Sequence, residues 1–593
     1  MDEILAQLSC KNIVDLALLM PKRIENLNFA STYTLNANNC ALVEILEQKF
    51  AFNKLYCNCY CKNWDLPCQI TIFNAKPFHK ALFAKGKEVI VYSKVSEYAG
   101  IAQFINPKIL KNSGNINFIY SIKGVKDEVI TKAKKEFINE NILKEYKIPK
   151  RYIDILLAMC DEESALKYFE SEELKHCLKY VELLVHLQEL SKVYQNKNLN
   201  EKIKTQNIDS WIKTLPFKPT NDQINAINDI KQDLAKTSTK TRIVMGDVGS
   251  GKSLVMFAAA LMCYPKKVLL MAPTSILATQ LYNEAKRLLP GYVKIMLLQK
   301  SPSKSMIKQA LECNFIIGTH SLLYQDFDDI ALVMVDEQQR FSTKQREKLS
   351  KANYENIQPH YIEFSATPIP RTTALIHKNI FSYSFIKQMP FKKDIQTILM
   401  NVKDSNNLFL HMDEEIKKNN QIIIVYPLIE ESKNSIYKPL ESVQEFYINR
   451  FSNVYSTHGK DKNKEEIMKE FSQNGSVLLS TTIVEVGISL PRLSIIVIVA
   501  PERYGLSTLH QLRGRVGRNG VKSYCYLLSK NEFSNRLCEF ANTLDGFEIA
   551  QIDLKNRKSG DLIEGQNQHG EQFKYFDEYS DRAIIEEVLA NKL

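Results

Sequence analysis

Between about residues 215 and 540, short apolar runs rich in β-branched residues alternate with stretches of helical periodicity. RIVMG, KVLLMAP, NFIIGTH, LVMVDE, IEFSAT, QIIIVYP, VLLSTT and SIIVIVA are the length of strands and apolar on both faces. A strand apolar on both faces must be covered on both, the condition of a parallel sheet sandwiched by helices. Parallel neighbours need a crossover, and the intervening helical stretches supply it. The rhythm therefore predicts two successive α/β units.

The rest of the chain reads differently. Its 593 residues are enough for about three to five domains. With 45% hydrophobic and 24% charged residues, it is no disordered chain, collagen-like repeat or small disulfide scaffold. The N-terminus has Asp2 and Glu3 where a signal peptide needs basic residues, and its first 35 residues have helical spacing. From 41 to 110, ALVEILEQ, LYCNCYC, QITIFNA, KEVIVYSKVSEY and IAQFINPKI alternate as strands do, with Gly86 and Gly100 between runs. A small β-barrel is expected there. Residues 116–210 return to helical periodicity and carry many lysines. The predicted organisation is a helical segment at 1–40, the barrel at 41–115, a helical connector at 116–210, α/β units at 211–390 and 391–540, and a tail at 541–593.

Cys57, Cys59 and Cys61 share one face of a strand by their period of two. C-x-C-x-C is poor zinc spacing, so they are read as small core or semi-exposed residues rather than a metal site, with a reducing cytoplasm as the compartment. No apolar run approaches the roughly 18 residues that crossing a membrane requires. Lysine and arginine total 78 against 67 aspartates and glutamates, and the net charge of +11 suits a polyanion partner.

Gly246, Asp247, Val248, Gly249, Ser250, Gly251, Lys252 and Ser253 fit G-x-x-x-x-G-K-[ST] between the strand-like TRIVM and the helix-like LVMFAAALM. That context makes a phosphate cradle: the glycines let backbone N–H groups approach, and the helix N-terminus favours an anion. Lys252 would reach the β- and γ-phosphates of ATP and Ser253 would hold Mg²⁺. Asp336 and Glu337 end an apolar run, where two adjacent carboxylates are costly unless they serve a cation or a proton. Asp336 would hold Mg²⁺ and Glu337 would orient or deprotonate water. Gln511-Leu512-Arg513-Gly514-Arg515-Val516-Gly517-Arg518 crowds its arginines between glycines. Two readings stand: Arg515 and Arg518 complete an ATP site from a second lobe, or the cluster is a basic loop for nucleic acid.

Taken in order, these pieces resemble the superfamily 2 helicases over nearly the whole chain, and within them the RecG family. Phe217, Thr220 and Gln223 look like the adenine-reading segment, with Gln511 near the nucleotide. Met271-Ala272-Pro273-Thr274 and Gly318-Thr319-His320 resemble DNA-side motifs. Asp336-Glu337-Gln338-Gln339, Ser365-Ala366-Thr367-Pro368-Ile369-Pro370-Arg371-Thr372, Tyr426-Pro427-Leu428, Thr481-Thr482-Ile483-Val484-Glu485-Val486-Gly487 and the arginine cluster resemble the later motifs. Asp545-Gly546-Phe547-Glu548 is similar to the family's segment coupling ATP state to translocation.

The resemblance implies two RecA-like lobes behind an OB-fold wedge and a helical connector. It implies a monomeric enzyme that uses MgATP to remodel forks and Holliday junctions, with a possible single-strand-binding protein contact. Thr274, Thr319, Thr367, Thr482 and Glu485 become candidate DNA contacts, each also readable as a cap at a strand end. Ile72-Phe73-Asn74 resembles the wedge tip, so Phe73 is a base-stacking candidate, set against a barrel-core reading; Tyr98 is a second. The chain departs from the family at Gln339, where a histidine is usual, at Ser489, and in the tail at Lys558 and Asn567. A coupling translocase of transcription and repair would need a longer N-terminal part, and the primosomal helicase a paired-cysteine module in the second lobe. The third alternative is a nucleotide-dependent DNA-binding protein without useful hydrolysis.

Overall fold

A computed structural model describes residues 2–193, 203–239, 241–299, 302–325, 327, 329–337, 359–366, 376, 380–427, 437, 439–459, 461–481, 490–517, 520, 522–557, 573–578 and 580–591. The chain forms two compact units. One comprises Met1–Gln188, Phe573–Asp577 and Ala583–Leu593; the other comprises Glu189–Gln572 and Glu578–Arg582.

In the first unit, Asn38–Ala51 pairs antiparallel with both Lys54–Cys61 and Glu88–Tyr98. Leu66–Phe73 pairs antiparallel with Lys54–Cys61 and parallel with Ile101–Ile105, which returns antiparallel to Glu88–Tyr98. The pairing therefore closes on itself. Helix Pro77–Leu82 connects Leu66–Phe73 to Glu88–Tyr98. Alternation sets the interior: Cys57, Cys59 and Cys61 point in with Val43, Ile45, Leu55, Ile70 and Phe104, while Tyr56 and Asn58 point out. Burial pushes the Cys57 thiol up to about 11 and the Cys61 thiol up to about 12. Such thiols stay protonated, as core residues rather than thiolate ligands do.

The N-terminal segment is not helical throughout. After helices Asp2–Gln7 and Ile13–Ala17, Arg23–Asn26 is a strand paired antiparallel with Ile116–Ile119. That short polar strand has no alternation of its own, and its partner is remote in sequence. Helices then fill most of 127–193, ending with the long Glu172–Val193. The expected tail is also divided. Gly546–Arg557 belongs to the second unit, whereas Phe573–Asp577 and most of helix Arg582–Ala590 complete the first. There the Glu182 carboxylate accepts the backbone N–H groups of Lys574, Tyr575 and Phe576 at 2.7, 2.8 and 2.8 Å. Phe576, Ile584, Ile585 and Val588 are buried.

The second unit holds two RecA-like lobes. In the first, all-parallel strands run in the order Ile295–Leu298, Phe315–Gly318, Lys267–Met271, Ile330–Asp336, His360–Ser365, Thr241–Gly246 and Ser382–Ile386. In the second, also all-parallel, the order is Ile395–Asn401, Ser523–Ser529, Leu493–Val499, Gln421–Val425, Val477–Ser480 and Val454–Thr457. All the apolar runs read as buried strands occupy these sheets. The unforeseen strands are mostly edges: Ile295–Leu298, Ser382–Ile386, Ile395–Asn401 and Val454–Thr457 are only partly buried and carry polar residues. Among the described residues no helix is long and apolar enough to cross a membrane.

Candidate nucleotide site and DNA-facing surface

Strand Thr241–Gly246 runs straight into the phosphate-loop sequence, and helix Lys252–Cys263 begins at Lys252. Gly249 and Gly251 have φ of +84° and +80°, left-handed values that glycine adopts without strain. A Cβ on Gly246 would collide with Ser250 Oγ, and one on Gly251 with Gln223 Nε2. The result is a tight nest of backbone N–H groups at the positive end of a buried helix. Lys252 Nζ lies over it, donating to Gly246 O at 2.7 Å and Asp247 O at 3.3 Å. Ser250 is fully buried, and its Oγ has no hydrogen-bond partner among the described residues. Among the described residues, an ammonium bonded only to carbonyls, a buried hydroxyl without a partner and a backbone nest together fit a phosphate chain.

The adenine-reading candidates are fastened to this loop. Thr220 caps helix Asn221–Leu234 and forms a reciprocal box with Gln223: Gln223 N donates to Thr220 Oγ1 at 3.3 Å, and Thr220 N to Gln223 Oε1 at 2.8 Å. Gln223 Nε2 donates to Ser250 O at 2.8 Å. Beside them is a cleft of about 400 Å³ between 218–221 and 388–390. Phe217, 44% exposed, precedes that wall in the chain.

Asp336 is the last residue of its strand. Its neighbour strand, His360–Ser365, separates it from the phosphate-loop strand, so Ser365 stands between the two motifs. Burial first, and then the charge of Glu337, push the Asp336 carboxyl above the usual carboxylate range, while Lys252 and Arg515 pull it down. The first lobe's lysine and the second lobe's Arg515 therefore act on one carboxylate. Arg515 and Gln511 are themselves buried. Glu337 has a φ of +52°, a strained conformation for a non-glycine residue, while its N–H donates to Phe364 O at 2.9 Å. Ser253 is a hydrogen-bond neighbour of Glu284, whose carboxyl burial raises. Glu284, on helix Ser275–Leu288, was not foreseen and had no local sequence signal.

The DNA-side candidates divide. Thr274 caps helix Ser275–Leu288 through Leu277 N at 3.3 Å, the alternative reading of that residue. Thr319 is buried, so its side chain does not form the surface; that turn presents Tyr324, 72% exposed. The buried strand Phe315–Gly318 carries Thr319 inward with it. Gln339, Thr367, Thr482, Glu485, Ser489, Arg518, Lys558 and Asn567 lie outside the described residues.

In the first unit, Phe73 is 40% exposed rather than a core residue, and Lys54 Nζ stands 4.9 Å from its ring centroid. Tyr98, 71% exposed, is at the other end of the closed sheet: Phe73 ends its strand beside Lys54, whereas Tyr98 opposes Ile101 near Cys68. The residue missed is Phe52. It and Asn53 form the two-residue turn between paired Ala51 and Lys54, with φ of +48° and +58°. Its side chain is 98% exposed. Asn53 O accepts Ala75 N at 2.8 Å, tying this turn to the segment after Phe73. The signal available was Phe-Asn between two alternating runs, a hairpin pattern.

The DEAD/DEAH box helicase family matches residues 220–376, and the helicase conserved C-terminal domain matches residues 404–520. An ATP-dependent DNA helicase RecG from Helicobacter pylori is 40% identical over 99% of this chain and 97% of its own length. The RecG of Thermotoga maritima is 34% identical over 84% of this chain and 69% of its own. A solved structure of RecG bound to a three-way DNA junction aligns with a TM-score of 0.61 and 28% identity, covering 98% of this chain and 83% of that one. Similarity of this degree along the full length of both chains establishes membership: the chain belongs to the RecG family of ATP-dependent DNA helicases.

Proposed function

We infer that this chain is an ATP-dependent DNA helicase that remodels branched DNA, regressing forks and migrating Holliday junctions. What supports the reading is the backbone nest under Lys252, one strand away from the buried Asp336 carboxyl, in a chain 40% identical to a RecG helicase over 99% of its length. Lys252 and the loop from Gly246 to Ser253 bind the phosphates, and the 218–221 wall with Phe217 and Gln223 takes the base. Glu337 orients or deprotonates the attacking water. Arg515, with Arg518, stabilises charge on the γ-phosphate, an interaction made only when the lobes meet. Ser253 and Asp336 would hold Mg²⁺. The fit rests on Asp336, a buried carboxyl that a divalent cation would return to its anionic form. Bound Mg²⁺ would neutralise charge on the phosphates.

The closed sheet is read as an OB-fold wedge. Its pairing order, with one parallel pair and a helix before the fourth strand, supports that. Phe73 and Phe52 mark the end that meets unpaired bases, and Tyr98 marks a separate contact. Affinity should come mainly from lysines on phosphates, through backbone and shape. The enzyme is read as a cytoplasmic monomer; contact with a single-strand-binding protein rests on the resemblance alone.

The test is the ATPase rate without DNA, with linear duplex and with a synthetic fork, while strand release from the fork is followed. Stimulation by the fork together with release is expected. Fork binding without stimulated hydrolysis would leave a degenerate relative that only binds branched DNA.

A further inference from the structure

Asp247 follows the first glycine of the phosphate loop, yet its side chain turns away from the nest. It is buried, and both carboxylate oxygens are taken. Oδ1 accepts Val248 N at 2.6 Å and His510 Nε2 at 2.6 Å. Oδ2 accepts Lys393 Nζ at 2.9 Å. His510 is on helix Leu506–Arg513 of the second lobe, and Lys393 is in the linker between strands Ser382–Ile386 and Ile395–Asn401. One side chain of the first lobe thus holds both the linker and the second lobe.

The hydrogen-bond geometry fixes the histidine. Arg513 Nη2 lies 3.2 Å from His510 Nδ1, and a guanidinium only donates. Nδ1 therefore accepts, and Nε2 carries the proton given to Asp247. Arg513 is anchored in turn to Phe540 O at 3.0 Å and Thr543 O at 2.7 Å. Burial raises the Asp247 carboxyl, and the contacts with His510 and Lys393 outweigh it, holding it below the usual carboxylate range. Directly after Arg513, Gly514 faces the residue next to Asp247: a Cβ there would stand 2.8 Å from Val248 Cβ. The turn that delivers Arg515 is thereby laid on the phosphate loop at two adjacent points.

We propose that Asp247, His510 and Lys393 form an interlobe latch that positions Arg515 against the γ-phosphate, making His510 and Lys393 positioning residues for hydrolysis. None of the three side chains need touch nucleotide. The latch acts on a step that requires the lobes in register, so its loss should lower turnover rather than ATP binding. It rests on the role proposed for Arg515.

The experiment uses the full chain with saturating fork and measures kcat, KM for ATP and the affinity of a fluorescent ATP analogue. His510→Leu removes the donor to Asp247. His510→Gln keeps it, because a glutamine amide can donate to Asp247 and accept from Arg513. Misplacing a catalytic group by about an ångström costs on the order of 100-fold, so His510→Leu should lower kcat by about that factor. KM and analogue affinity should stay within about threefold, and His510→Gln should keep kcat within about threefold of the parent. Lys393→Met should lower kcat by about tenfold on the same argument. Unchanged kcat in His510→Leu, a rise in KM that accounts for the whole loss, or equal inactivity of His510→Gln would each overturn the latch. If His510→Leu does not fold, Lys393→Met decides, and full kcat there overturns it. Arg515→Ala run in parallel separates the two ideas: full turnover in that variant defeats the arginine role itself. Loss in Arg515→Ala with full turnover in His510→Leu defeats only the latch.

Discussion

Replacing Phe52 with serine should weaken fork binding without weakening the fold. The side chain is 98% exposed, so its removal opens no cavity, and loss of a nearly free phenyl ring should change stability by less than about 0.5 kcal/mol. Its backbone, at φ +48°, is already strained for a phenylalanine, so serine should be tolerated there. A base stacked on an aromatic ring is worth about 1–3 kcal/mol, which is roughly 5- to 150-fold in Kd. Phe73 stands at the same end of the sheet, linked through Asn53 O and Ala75 N. Phe73→Ser should therefore couple to Phe52→Ser, the double variant departing from additivity by at least about 0.5 kcal/mol. Tyr98 is level with residue 67 near the far end of the strand that Phe73 terminates, on the order of 20 Å away at about 3.3 Å per residue. Its effect should simply add. The assay is fluorescence anisotropy at fixed salt on a fork and on linear duplex of the same length, with 2-aminopurine at the branch to report unstacking. Unchanged fork affinity in Phe52→Ser, or an equal loss on linear duplex, would refute the stacking assignment.

Glu337→Gln should keep ATP binding and lower fork-stimulated turnover by about 10²- to 10⁴-fold, the range for loss of a general base, as read from steady-state hydrolysis. Glu182→Ala removes the carboxylate that gathers three backbone N–H groups of the C-terminal segment. Discounted for partial exposure, that should cost about 2–4 kcal/mol, seen as earlier proteolysis of the C-terminus and a lower unfolding midpoint for the first unit. Lys134 is buried, donates to Leu19 O at 2.9 Å and is pushed down to about 8 by burial. The folded chain thus gives up this proton before the unfolded chain does, so stability should rise with pH from about 8 towards 10. The full effect is about 3 kcal/mol, and Lys134→Met should abolish the slope in denaturant titrations.

Legibility followed burial. Runs such as IALVMV and SIIVIV sit in sheet centres, covered on both sides, so their composition declared them. Edge strands such as Val454–Thr457 bury one face at most and look like ordinary polar sequence. The cysteine triplet could be oriented because a period of two leaves no other arrangement within a strand. Site residues defined by backbone need, such as Gly251 and Lys252, were legible because the loop admits few alternatives. Asp247 was read only as a loop residue, because its partners His510 and Lys393 are brought to it by folding of both lobes. Phe52 was missed because the Phe-Asn pair between alternating runs marks a turn without saying that the turn leaves the ring exposed. Thr319 shows the converse: the motif marks a position, and its burial behind the strand before it was not legible from the sequence.

The clasp between Glu182 and Tyr575 spans 393 residues of chain. On a ribosome working at about 5–20 residues per second, those two segments emerge on the order of 20–80 s apart. The closed sheet of the first unit needs only residues 38–110 and can form early, on the millisecond-to-second scale of small domains. The helical layer holding Glu182 cannot be finished until both RecA-like lobes have been synthesised. For that interval Glu182 has no backbone N–H groups to receive, and the surface later covered by Phe576, Ile584 and Val588 stays open to solvent and chaperones. Any premature stop within the lobes therefore leaves the first unit incomplete as well, without the segment that Glu182 holds.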